Sequence, residues 1–147
     1  MRKALAISLF AAALLMSGAT ARAQNPNYNV GPVWRVSYVH IKAGQADAFW
    51  SDIRTNLKPI LEEEKKQGLI SDYKVFTNAT TNSPNDWSVA IAIQYANWAA
   101  LDQIDAKAAT LVVQHYGSRE AMSEAARKRT ETGELVASHL AREVTVK

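Results

Sequence analysis

The chain predicts an α+β fold: a four-stranded antiparallel sheet with helices packed on one of its faces. Three observations lead there. Four segments carry the alternating or β-branched pattern of strands, namely 33–42, 70–78, 87–96 and the chain's end. Two amphipathic or capped helical stretches separate the first strand from the second and the third from the fourth. The second and third strands are joined only by a polar, proline-containing connection, so the order strand, helix, strand, strand, helix, strand is a split βαβ arrangement.

In strand one, Trp34, Val36, Tyr38 and His40 alternate with Arg35, Ser37, Val39 and Ile41. Gly44 then breaks the strand, and Ala46, Phe49, Trp50, Ile53, Leu57, Ile60 and Leu61 recur at helical spacing as one apolar stripe. Pro59 cannot donate to the preceding turn and crowds the carbonyl of Thr55, which predicts a kink or restart. Glu62 to Lys66 reads as a solvated last turn with its cations at the helix C-terminus, an acidic binding site being the sharper alternative, and Gly68 fits as the cap. Residues 70–78 form strand two and 79–86 the connection. In strand three, large Trp87, Val89, Ile91, Ile93 and Tyr95 alternate with small Ser88, Ala90, Ala92, Gln94 and Ala96, which predicts a central strand with two unequal faces.

Asn97 is placed to cap a helix continuing to about Val113, and Ser118 to cap a second, polar one after the interruption at His115, Tyr116 and Gly117. Residues 135–146 fit either a helix stripe or a strand. Their β-branched ending, and the edge that strand one would otherwise leave unpaired, favour a strand from about Ser138.

Residues 1–23 have a cationic start, an apolar run from Ala4 to Met16 too short for a membrane span, and an Ala21-Arg22-Ala23 ending. They read as a secretory signal peptide. Residues 24–32, polar with two prolines and a glycine, read as a flexible arm, and 33–147 as a single domain. The location expected is periplasmic or secreted. Removing Arg2, Lys3 and Arg22 takes three of the 17 basic residues and balances the rest against 14 acidic ones, so no basic surface for nucleic acid is expected. With no cysteine, there are no disulfides or thiolate chemistry, and stability rests on the core or on oligomerisation.

Both faces of the strands carry apolar or aromatic residues, while helices cover one. The other face is expected to be covered by a second copy, giving a homodimer. The segments VSYVHIKAGQADAFW, KPILEEEKKQGLISDY and NWAALDQ resemble the dimeric α+β barrel superfamily of ferredoxin-like domains, over roughly the whole chain after the leader. Within it the chain is similar to small exported bacterial proteins related in layout to the antibiotic-biosynthesis-monooxygenase-like, stress-responsive barrel and NIPSNAP-like groups. That resemblance implies one ligand-sized cavity per subunit between sheet and helices. It also implies a fold that hosts cofactor-free oxygenases, isomerases, haem-handling enzymes and proteins without a known reaction.

Candidate chemistry rests on histidines and aromatics. His40 closes strand one on the face of Tyr38, where the pair can polarise a bound carbonyl or phenol. The plainer role is a strand-end histidine bonded to backbone. His115 lies at a helix break, with a helix-terminus histidine as the plainer role. His139 and Glu143 share a face only if their segment is helical; in a strand they lie about 13 Å apart, and no metal site is expected. The leading reading is a dimer without a cofactor that binds a small aromatic or apolar molecule in a cavity bounded by Tyr38, His40, Tyr73, Tyr95 and His115. The alternatives are a monooxygenase-like enzyme using His40 or His115 as base, a haem carrier with a cavity histidine as axial ligand, and a purely structural protein.

Overall fold

The computed structural model describes residues 25–147, so the signal-peptide assignment of 1–23 lies outside the described residues. Strands β1 (Tyr28–Ile41), β2 (Asp72–Thr77), β3 (Val89–Tyr95) and β4 (Gly133–Val146) form one sheet in the order β2-β3-β1-β4. Every neighbouring pair is antiparallel, which is the ferredoxin-like split βαβ topology. Between β1 and β2 run α1 (Ala46–Asp52), a π-helical turn (Ile53–Leu57) and α2 (Lys58–Lys66); between β3 and β4 run α3 (Trp98–Tyr116) and α4 (Arg119–Thr132).

The local signals act as their chemistry requires. Asn97 Oδ1 accepts from the Ala100 N–H and Ser118 Oγ from the Ala121 N–H, each satisfying one orphan donor at a helix start. Gly68, at φ 71°, ends α2 in a Schellman motif, with Leu69 N–H donating to Glu64 O and Gly68 N–H to Lys65 O. The discontinuity expected at Pro59 is the π-helical turn. The Lys58 N–H reaches back to Ile53 O, so a ladder that proline cannot serve is stepped over by one wider turn.

The helices lie on the face of Val33, Arg35, Ser37, Val39, Ile91, Ile93 and Tyr95. The core joins Val33, Tyr95, Leu61, Ile70, Leu101 and Ile104 there. Large residues of β3 face the helices and small ones the open face, as the alternation implies, and Ala90 and Ala92 are still buried, flanked by bulkier neighbours.

Two strand starts and one burial differ from expectation. The arm at 24–32 is not wholly irregular: β1 begins at Tyr28, because Tyr28, Asn29 and Val30 pair with Val146, Thr145 and Val144. The register breaks between Val30 and Val33, so Pro32, which has no N–H to give, falls where the ladder is interrupted. β4 starts at Gly133 rather than near Ser138, because pairing with the full length of β1 overrides the weak local preference of Glu134 and Leu135. The charged run at the end of the first helical stretch is not uniformly solvated, since Glu64 is only 6% exposed.

Candidate functional site

Phe49, Ile53 and Leu57 follow one another at four-residue spacing on α1 and the π-helical turn. Opposite them stand Ser37, Val39, Ile91 and Ile93 of the sheet, and Ala126, Arg129, Thr130, Gly133 and Leu135 close the sides. These residues line a largely apolar, half-open cavity of about 360 Å³ between sheet and helices. A second chamber of about 200 Å³ shares Leu57, Ile93 and Arg129 with it and continues to Arg35, Glu64, Tyr95 and Tyr116. The two have the make-up of small-molecule sites: apolar walls with a few converging polar groups. Surface clefts between α3 and α4, and between α1 and α4, lie outside this space.

The polar groups are positioned by a network across four elements. Arg129 on α4 donates through Nε to Asp52 at 2.8 Å and through a terminal nitrogen to the Tyr116 hydroxyl at 2.9 Å. Asp52 Oδ1 in turn accepts from Asn56 Nδ2 at 2.7 Å, which turns the Asn56 carbonyl toward His115 Nε2 at 3.1 Å. Asn56 lies within the π-helical turn, a feature that often marks functional positions. Desolvation of the half-buried Arg129 guanidinium is outweighed by Asp52 and Tyr116, which together raise its pKa, so it is a fixed cation.

Glu64 has no side-chain hydrogen bond or ion pair among the described residues, and burial pushes its carboxyl pKa up. Arg35 likewise makes no ion pair among the described residues, and its guanidinium lies 5.6 Å from the Tyr95 ring centroid. Sequence reasoning missed Glu64, Arg35 and Arg129. The one available signal for Glu64 was its three-residue spacing from Leu61 on the apolar stripe. Arg129 sits in the run Arg127-Lys128-Arg129 of a polar helix, a pattern that by itself points to solvent.

The five residues expected to bound one cavity do not meet. Tyr95 lines the smaller chamber. Tyr73 faces the helix side but packs at its margin; burial first, and then its 2.5 Å hydrogen bond to Glu62, pushes its hydroxyl pKa up to about 12. Tyr38 and His40 stand on the open face of the sheet because they alternate with Val39. There Tyr38 packs edge-on against Trp87 and His139. His40 donates from Nδ1 to the Asp86 carbonyl at 2.8 Å, the plainer role for a strand-end histidine. His115 is exposed at the end of α3 and reaches the site only through Asn56. No histidine lines either chamber. His139 and Glu143 lie on a strand, as the β-branched ending implied, and Glu143 accepts from Trp34 Nε1. Among the described residues no three His, Asp or Glu side chains converge as metal ligands.

No protein-family model matches the chain, and no curated protein matches it. Among solved structures it is similar to HapK from Hahella chejuensis, at 14% identity and a TM-score of 0.48 over 76% of this chain and 91% of that one. It is also similar to protein SO0527 from Shewanella oneidensis, at 16% identity and a TM-score of 0.46 over 82% and 98%. A dimeric ferredoxin-like protein from an uncultured marine organism gives 14%, 0.46, 81% and 98% respectively.

Proposed function

We propose that the chain is an exported homodimeric protein that binds a small apolar or aromatic molecule between its sheet and its helices. The observation that carries this reading is the cavity of about 360 Å³ walled by Val39, Phe49, Ile53, Leu57, Ile91 and Ile93. An apolar space of that size at a sheet–helix junction favours a ligand that gains by leaving water. The His40 and His115 base readings and the haem reading each need a histidine in the cavity, and neither chamber supplies one.

Dimerisation is supported by the surface. β4 is an edge strand, and along it Leu135, Val136, Leu140, Val144 and Val146 are exposed, with Val30 beside them. Leu135 also lines the cavity, so a second copy lying along β4 would narrow the mouth as well as cover the strand. Export rests on the leader pattern and predicts that the mature chain begins at Gln24; an exported chain still carrying Met1 would contradict it.

Binding is tested with the neutral, environment-sensitive dye N-phenylnaphthylamine. One dye per subunit should bind with enhanced fluorescence, and Ile91→Trp, which fills the cavity, should abolish it while the circular dichroism spectrum is kept. Equal binding by the filled variant would remove the cavity from the account.

A further inference from the structure

The smaller chamber has a chemistry that an apolar ligand alone does not explain. Glu64, more than nine-tenths buried, faces it without a hydrogen-bond or ionic partner among the described residues. Facing Glu64 around the same chamber are Arg35 from β1, Tyr95 from β3, Tyr116 from α3 and Arg129 from α4. The Arg129 charge is offset by Asp52. The Tyr116 hydroxyl accepts from Arg129 and so keeps its own proton for another acceptor. Arg35 is left as a cation with an aromatic ring beneath it and no carboxylate beside it among the described residues.

We propose that this chamber is an anion-recognising pole, and that the ligand is an aromatic or apolar molecule bearing a single carboxylate, whose ring fills the larger chamber. The proposal rests on the ligand-binding reading of the cavity. The ligand carboxylate pairs with Arg35 and accepts from Tyr116 and from the protonated Glu64 carboxyl, so these three groups share one acceptor. A carboxylic acid donates such a bond only while it holds its proton, and burial of Glu64 favours that protonated form. Once Glu64 ionises, its charge opposes the ligand's. Binding of the carboxylate therefore weakens as pH rises through the Glu64 titration, whereas binding of a neutral analogue does not.

The test is a titration of the mature chain with naphthoate and with naphthamide, which has the same ring and no charge, between about pH 5 and 8 where the naphthoate is ionised. Naphthoate should bind about tenfold or more tightly than naphthamide at the acid end, with the preference shrinking as pH rises. Arg35→Leu should erase the preference by weakening naphthoate far more than naphthamide, and Arg35→Lys should restore part of it. Glu64→Gln, which keeps a donor that cannot ionise, should hold the preference across the range. Equal affinities for the two compounds, unchanged by Arg35→Leu, would overturn the anion pole and leave the cavity reading standing. Binding of neither compound would overturn the cavity reading, and the pole with it.

Discussion

Glu64 shows how a single burial changes what a residue does. It follows Leu61 by three positions, so the helix turns it inward with the apolar stripe, while Glu62 and Glu63 stay at the surface and engage Tyr73 and Lys66. Its folded carboxyl titrates above the ordinary value of 4.5, so between that value and the folded one the native state holds a proton the unfolded chain has released. Stability should therefore fall as pH rises through that window and then level off. Glu64→Gln removes the titration. Urea unfolding should show the variant gaining on the wild type as pH rises above the ordinary carboxyl value of 4.5, and a difference that does not vary with pH would contradict the assignment. At this scale the sequence was a partial guide. It marked Tyr95 as a wall, but the run of three glutamates looks uniform until the helix phase is known. Tyr38 and His40 were set on the wrong side of the sheet from the cavity because strand alternation says which residues share a face and not which face the helices take.

The elements were more legible. Two caps, a glycine stop and a proline discontinuity can be read from Asn97, Ser118, Gly68 and Pro59, since each depends on local backbone chemistry. Boundaries set by distant pairing were not readable: the first three residues of β1 become strand against the end of β4, and the first residues of β4 against the end of β1. The junction of α4 with β4 also shows a packing demand. Gly133 has ordinary extended backbone (φ −150°, ψ 158°), but a Cβ there would sit 2.9 Å from Val39 Cγ1 and 3.4 Å from the Phe49 ring. Val39 is β-branched and stiff, so relief must come from the backbone or from Phe49. Gly133→Val should cost about 1–3 kcal/mol in urea unfolding and weaken dye binding, because all three residues wall the cavity. A variant of unchanged stability would show that the helix layer yields more easily than this packing implies.

For the whole molecule, the excess of apolar surface was foreseen and its location was not. The open face of the sheet is partly shielded: Trp34 is bonded to Glu143 and overlain by Lys74, and Tyr38 is packed by Trp87. Phe76 there is 49% exposed, but most of the exposed large apolar side chains run along β4, beyond the reach of the helices, with Leu140 at 51% and Val146 at 80%. The helices cover the two central strands, while both edge strands stay largely exposed, β4 over most of its length. Light scattering should give a dimer at micromolar concentration, and Leu140→Lys should shift it toward monomer without loss of secondary structure. A wild-type monomer would leave the β4 surface without its proposed cover. Such a result would bear on assembly and on the mouth of the cavity, while the walls, which belong to one chain, would stand.

The central claim is that the ligand sits between the sheet and the helices, and methyl-labelled NMR reads that position most directly. With N-phenylnaphthylamine bound, nuclear Overhauser effects should connect the dye to the methyl groups of Ile53, Ile91 and Ile93, which converge on the cavity from helix and sheet. Contacts confined to Val36 on the open face, or to Val144 and Val146 on β4, would place the ligand on the surface and contradict the account.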